Sequence, residues 1–524
     1  MKHAEEQATF DYIVLGAGPA GVQMGYCLEQ AGHSYTLLEG GDSPGTFYKT
    51  FPRHRTLISS NKVYTGFDDP EMNMRWDWNS LVSDSPEMLF KNYSTRYFPP
   101  ADDLVRYLGD FVRHFGIRVR YNTRVARVTK VDGEFVLTDT EGNTYRAKRV
   151  VVATGYSRPY QPEIPGFELT ESYNEVSVDP ADFINQHVLI VGKGNSAFET
   201  ADNLIPTAAV IHVISPSPVN LAWKTHFVGH LRAVNNNFLD TYQLKSQNAI
   251  LDATIEKIEK RDGRYVVSVS YTHANGEREE LFYDRVISCT GFRFDASIFD
   301  ETCTPELAIK DRFPRQTSAW ESTNVPGLYF AGSLMHMRDF KKHTSGFIHG
   351  FRYNVVALHR ILEARYHARP LPRRSIEATV EGLTEAVVAR VNRSSALWQQ
   401  FGFLGDALVV AEDGTAEHFE ELPVDYIHDG EIGRSAHYYV VTLEFGKIVG
   451  DPFAVERNPD PDYASRSTFL HPVVRRYRGI TLLSEVHMIE DLYADWTKEE
   501  MHLVPLRAFF EASMAAEESA LVGA

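Results

Sequence analysis

The sequence predicts an α/β protein in which one doubly wound domain is inserted into another and a C-terminal α+β domain follows. Three observations carry this expectation. A strand, a glycine-rich turn and a helix occur in succession around Gly16–Gly21 and again around Gly192–Ala197. Strands ending in Thr-Gly occur at Thr154-Gly155 and Thr290-Gly291, where the chain would cross between the two units. At 524 residues the chain is also well beyond the roughly 250 residues at which single cores stop growing.

Asp11–Leu15 is a short apolar run that enters Gly16-Ala17-Gly18-Pro19-Ala20-Gly21; Val22–Ala31 then reads as a helix and Tyr35–Leu38 as a second strand ending at Glu39. Each glycine is there for a physical reason. Gly16 permits the tight turn, Gly18 lets a pyrophosphate approach the backbone, and Gly21 lets helix and strand pack closely. The helix N-terminus then faces the phosphates, and Glu39 is placed to accept ribose hydroxyls. A further glycine just after the unit, Gly45 in Ser43-Pro44-Gly45-Thr46-Phe47, favours FAD over NAD at this first site.

The pattern recurs with His187–Val191 as strand, Gly192-Lys193-Gly194-Asn195-Ser196-Ala197 as turn, Phe198–Leu204 as helix and Val210–Ile214 as the next strand. The chain is thus expected to hold two Rossmann-type dinucleotide-binding domains. Here the strand runs into Ser215-Pro216-Ser217 rather than a carboxylate. Nothing there repels a ribose phosphate, and NADPH is expected in preference to NADH. Ser215 and Ser217 either bond that phosphate or shape a proline-rich turn.

Arg149–Ala153 and Arg285–Ser288 are the strands that precede the Thr-Gly pairs, and Gly327–Gly332 is another strand ending in glycine, followed by a helix from Gly346. Gly332 and Gly346 are expected beside the FAD pyrophosphate and the pyrimidine side of the flavin. Lys341, Lys342 and His343 precede that helix; either one of them balances a reduced, anionic flavin or the three form a solvated basic turn. The expected division is residues 1–165 and 285–365 for the FAD domain, 166–284 for the NADPH domain and 366–524 for an accessory domain. In the last, Leu383–Val391 and His487–Tyr493 read as helical and Tyr438–Leu443 as a strand. No metal-ligand spacing or nucleophile elbow is visible there, and the domain is expected either to cap the site or to make an oligomer contact.

Composition excludes other classes. A net charge of −17 argues against a nucleic-acid partner, because such binding relies on Lys and Arg displacing counterions. No run of about 18 apolar residues suggests a membrane span. The polar start at Met1–Thr9 does not read as a signal peptide, no Lys-Asp-Glu-Leu-type ending is present, and a cytoplasmic location is expected. The three cysteines, Cys27, Cys289 and Cys303, include no Cys-x-x-Cys pair, so a dithiol relay is excluded.

At Gly16–Gly21, Glu39, Gly192–Ala197 and the Thr-Gly strand ends, the sequence resembles the class B flavin monooxygenases, which include N-hydroxylating enzymes. It is also similar to the FAD-dependent oxidoreductase domain-containing proteins, which include an endoplasmic reticulum flavoprotein associated with degradation. That similarity runs through Tyr48–Gly66, with Pro52-Arg53-His54-Arg55 and Ile58-Ser59-Ser60-Asn61-Lys62, through Trp76–Leu81, Gly194–Thr200 and Gly346–Tyr353, and to Phe469-Leu470-His471-Pro472 and Asp495-Trp496. It covers nearly the whole chain.

The resemblance implies an FAD- and NADPH-dependent monooxygenase that activates O2 as a flavin C4a-hydroperoxide and transfers one oxygen to a small nucleophile, with an amine or amino acid as the expected substrate. Asn61, beside Lys62, is the implied catalytic candidate, placed to hold the oxygenated flavin or the nicotinamide; the alternative is that Asn61 caps a turn. Arg53, Arg55, Lys224 and Arg232 are candidates for pairing a substrate carboxylate or the NADPH phosphate, the default alternative for each being a solvated surface charge. Two rivals stay open: an NADPH-dependent reductase or oxidase without oxygen insertion, and a binding protein that keeps FAD for stability.

Overall fold

A computed structural model describes residues 9–243, 247–435, 437–448 and 450–522. Of the polar start Met1–Thr9, only Thr9 falls within them.

The first sheet has seven strands, with Phe10–Leu15 between the parallel strands Tyr35–Leu38 and Thr144–Val152. Val119–Arg120 extends one side, an antiparallel meander of Glu134–Asp139 and Val125–Val131 extends the other, and Leu328–Phe330 pairs parallel to Thr144–Val152. Tyr12, Ile13, Val14 and Leu15 are all buried, as expected of a central parallel strand covered on both faces. The first turn leads into a helix at Pro19–Ala31, one turn earlier than its apolar pattern suggests, because Pro19 is pre-set for the first helical position. Gly32 ends it in the left-handed region at φ 74°, its N–H donating to the Glu29 carbonyl at 3.0 Å.

The second sheet runs Arg278–Tyr283, Arg264–Tyr271, Ala249–Arg261, Val210–Ser215, His187–Val191, Arg285–Ser288 and Glu171–Ser172. Its glycine turn is followed by the helix Asn195–Leu204. The inserted arrangement expected from the Thr-Gly pairs is present, with one correction. A boundary at 285 assigns Arg285–Ser288 to the FAD unit, whereas that strand lies parallel to His187–Val191 in the second sheet, with Val286 opposite Leu189. Its buried Val286 and Ile287 complete the second core, and the chain returns to the first unit only after Thr290-Gly291.

The return passes through Leu328–Phe330 into the 19-residue helix Ile348–Tyr366. The accessory domain is a six-stranded antiparallel sheet in the order Arg373–Glu377, Thr415–Pro423, Leu404–Val410, Tyr438–Phe445, Leu470–Arg478, Thr481–His487. The helices Val380–Arg393 and Val504–Val522 pack on it, and Leu383, Val387, Val441, Val474, Leu506 and Phe510 share one core. The helix read at His487–Tyr493 is not formed. His487 ends a strand, and the Asp491 carboxylate accepts from the backbone N–H of Tyr493 at 2.8 Å, a local turn that competes with helix. Among the described residues no helix is long and apolar enough to cross a membrane.

Candidate functional site

The first glycine turn meets the geometric demands read from its sequence. Gly16 has φ +96°, and a Cβ there would lie 2.9 Å from the Ala153 carbonyl oxygen. A Cβ at Gly21 would overlap the Gly16 carbonyl, whereas one at Gly18 would meet nothing within 4 Å. Space is therefore kept open only where a phosphate must enter. Glu39 presents both carboxylate oxygens inward, accepting from Ala17 N and Gly41 N at 2.8 Å each, which fixes the turn against the strand end. Gly45, at φ +69°, bonds its N–H to the Ala17 carbonyl at 2.9 Å.

The second turn repeats this chemistry. Gly192 has φ +127° with its Cβ direction closed by the Cys289 carbonyl, and Gly194 is open. Ala197 is buried at the close-packing position. Lys193, between the two glycines, is not singled out by its sequence pattern. Its ammonium donates to the carbonyls of Ser215 at 3.2 Å and Ser217 at 3.0 Å and pairs with Asp252, shaping the loop opposite the turn. Asp252 lies level with Ser215 on the neighbouring strand. A carboxylate is thus present near this strand end after all, contributed by the next strand and neutralised by Lys193. The Ser215 hydroxyl donates to the Ser217 carbonyl at 3.0 Å, so it already shapes the turn.

Both turns open on one cavity of about 1040 Å³, whose lining includes Gly18, Gly194, Ser215, Ser217, Gly332 and Gly346. Gly332, at φ +73°, packs against Ala20 at the start of the first helix, bringing the returning strand beside the first cradle. Of the basic run, Lys341 lines the cavity; Lys342 is exposed and His343 turns toward Phe401 and Phe403 of the accessory domain.

Asn61 and Lys62 are not brought to the cavity. The Asn61 carboxamide donates to the carbonyls of Ser94 at 2.8 Å and Arg96 at 3.2 Å, because an intervening loop leaves two backbone acceptors that need donors. Lys62 is exposed. None of the four candidate cations lines the cavity directly, although Arg232 lies behind its Trp78 wall. Arg53 donates to the carbonyls of Asn174 and Val176 at 2.7 Å, Arg55 pairs with Asp102, Lys224 is exposed, and Arg232 stacks on Trp78 at 4.9 Å.

Two other groups occupy the wall. His349, on the first turn of the long helix, is buried, stacked on Trp78 at 4.1 Å, and neither ring nitrogen has a hydrogen-bond partner among the described residues. Burial, reinforced by Arg352 and Arg232, holds it well below the ordinary histidine range, so the ring is neutral. The ring lines the cavity, with both nitrogens enclosed by protein rather than open to it. Across the cavity the Tyr173 hydroxyl bonds the Glu199 carboxyl on the second helix. Burial pushes Glu199 up to about 7 against the lowering effect of Tyr173, so it titrates near neutrality. His349 sits in the Gly346–Tyr353 segment and Trp78 in Trp76–Leu81, but nothing in their local pattern indicates that they stack.

Of the three cysteines, all within the described residues and all unpaired, Cys289 alone lines the cavity. Burial keeps its thiol far above the ordinary range and pushes Cys27 up to about 12, so neither is a thiolate nucleophile at neutral pH.

The residues present fit two dinucleotides, and the cradles joined by one cavity define a flavin- and pyridine-nucleotide-dependent oxidoreductase with FAD and NADPH as its cofactors. A sequence model of the pyridine nucleotide-disulphide oxidoreductase family matches residues 13–332, and the chain belongs to that family. Over 96% of its length, and 83% of the relative's, it is 40% identical to the FAD-dependent oxidoreductase domain-containing protein 2 of Mus musculus. Among solved structures it is similar to the bacillithiol disulfide reductase of Bacillus cereus, with 20% identity, a TM-score of 0.52, and coverage of 68% of this chain and 100% of that one. It is likewise similar to a flavin-containing monooxygenase of Stenotrophomonas maltophilia, with 20% identity, a TM-score of 0.50, and coverage of 68% and 99%. At such identities these two share the fold, which by itself does not choose between their chemistries.

Proposed function

We propose that the chain is an NADPH-dependent flavin monooxygenase that oxygenates a small nucleophilic substrate, with a nitrogen nucleophile such as an amine or amino acid as the class to test. The observation that carries the reading is the single cavity shared by both cradles, lined by one cysteine that is buried and protonated. Electrons arriving from NADPH have no dithiol within the chain to leave by, which favours O2 as the two-electron acceptor. The balance is one substrate, one O2, one NADPH and one proton giving oxygenated substrate, water and NADP+.

Bound FAD would supply the passage of the electron pair from nicotinamide to oxygen. The protein's own part is positioning. Gly18 and the helix Pro19–Ala31 hold one pyrophosphate, and Gly194 with Asn195–Leu204 holds the other. Neutral His349, stacked on Trp78, keeps this part of the wall uncharged. Glu199 holds or yields a proton at neutral pH beside Tyr173. The aromatic wall of Trp78, Phe227, Phe347 and Tyr48 excludes water and suits an amine through its ring faces.

The test is to supply the flavin-loaded protein with NADPH and O2 across a series of amines and measure oxygenated product, peroxide and NADPH consumed. Product matching NADPH one for one supports the reading. Peroxide matching NADPH with every substrate would make the chain an oxidase or reductase, and no NADPH consumption would leave a flavin-binding protein. Replacing all three cysteines by Ser should leave NADPH oxidation within about twofold of wild type in flavin-loaded protein, since no thiol transfers electrons. The three unpaired thiols also fit a reducing compartment, and the cytoplasm is the proposed setting.

A further inference from the structure

Far from the cavity, the other end of the long helix carries a cluster that the proposed reaction does not use. His359 and Glu363, four residues apart, share one face of Ile348–Tyr366. His33 reaches them from the turn after the first helix, although it lies 330 residues from Glu363 in sequence. Its backbone is pinned there by the left-handed Gly32 and by its own N–H donating to the Leu28 carbonyl at 3.1 Å. One ligand atom from each of the three residues lies within 4.8 Å of the others.

The geometry points to a divalent transition-metal site of the zinc type, with His33, His359 and Glu363 as its protein ligands. The donor set is two imidazoles and a carboxylate, which suits zinc better than the hard calcium or magnesium ions, whose ligands are all oxygen. His359 Nε2 is buried, has no hydrogen-bond partner among the described residues, and stands 3.8 Å from Glu363 Oε1. The other carboxylate oxygen is oriented from outside by Arg369, at 2.8 Å, which leaves Oε1 facing the imidazoles. His33 Nε2 bonds Oε1 directly. Around a tetrahedral ion ligand atoms sit roughly 3.4 Å apart, so side-chain rotations of about an ångström close the set.

His367 lies just outside, its ring 4.0 Å from that of His33 and its Nε2 held by the Tyr12 hydroxyl at 2.8 Å. The fourth position is left to water. The ion would clip the turn after the first helix onto the long helix. His359 is about 16 Å along that helix from Ile348 at the cavity, so the role is bracing rather than contact with substrate.

The test uses tag-free, flavin-loaded full-length protein, stripped with a chelator and dialysed to equilibrium against zinc. Elemental analysis should find one saturable zinc per chain, with an X-ray absorption spectrum showing nitrogen and oxygen neighbours, imidazole scattering and no sulfur. His359→Ala and Glu363→Gln, each retaining flavin, should lose more affinity than the roughly 10- to 100-fold that loss of an outer partner costs. Wild-type protein that takes up no saturable zinc, sulfur in the metal's shell, or a flavin-loaded His359→Ala protein with unchanged affinity would each overturn the site. Where the variants do not fold, the wild-type stoichiometry and spectrum decide.

Discussion

At the scale of single residues, the two cradles make opposite demands on neighbouring glycines. A side chain at Gly18 meets open space, so Gly18→Val should fold with near wild-type thermal stability yet purify without flavin. Gly21→Ala drives a methyl group into the Gly16 carbonyl and should cost about 1–3 kcal/mol of stability as well as flavin. Denaturant melts and the absorbance of bound flavin separate the two effects. Glu199 supplies a pH signature. Its folded pKa of about 7 lies above the ordinary carboxylate value of 4.5, so between those values the native state holds a proton that the unfolded chain has released. Stability from this residue is complete below about 4.5 and is lost as pH rises through about 7, by on the order of 3 kcal/mol. Melting temperatures of wild type and Glu199→Gln should therefore converge at acidic pH and diverge above neutrality, with the Gln variant the more stable there.

At the scale of elements, the strands and helices around each glycine turn were legible in the chain because their signals are local. Tyr35–Leu38 and His187–Val191 have the bounds their apolar runs suggest, and the helix after each turn begins where the glycines release the backbone. The element assigned to the wrong unit, Arg285–Ser288, is apolar in either sheet, and only its pairing partner distinguishes the two. Lys193 illustrates the same boundary. Within the motif it is one variable residue; in the fold it holds the loop Ser215–Ser217 through two carbonyls. Lys193→Met should leave flavin content unchanged and raise KM for NADPH roughly tenfold or more, since a charged hydrogen bond contributes about 1.5–3 kcal/mol. Stopped-flow reduction at varied NADPH reads this directly, and an unchanged KM would remove the loop from cofactor recognition.

At the scale of the whole molecule, the accessory domain braces the site from behind rather than closing over it: among the described residues lining the cavity none comes from beyond Phe351. Gln400 donates to Ser345 Oγ at 2.9 Å and Asn354 Oδ1 at 2.8 Å and accepts from Thr344 Oγ1 at 2.7 Å, all buried beneath the segment that carries Gly346 and His349. On the other side Phe445 and Phe453 meet His226 and Trp223 of the NADPH unit, with ring centroids at 4.1 and 4.9 Å. Gln400→Leu should cost about 1–3 kcal/mol for each group left unpaired and weaken flavin retention without altering NADPH affinity in the flavin-loaded fraction. A thermal melt with flavin fluorescence measures both, and a stable, fully loaded variant would contradict the bracing role.

The chain by itself determined that there are two dinucleotide cradles, one inserted in the other, and that no dithiol links them. Those properties depend on glycine conformations, apolar runs and cysteine spacing, which act over a few neighbouring residues. Only the tertiary structure decided what faces the cofactors and what does not. The Asn61 carboxamide is turned to two carbonyls, His349 is stacked on Trp78, Glu199 is raised toward neutrality beside Tyr173, and His33 is set against His359 and Glu363. Each of these depends on burial and on contacts between residues tens to hundreds of positions apart, and desolvation and long-range hydrogen bonding have no counterpart in local sequence.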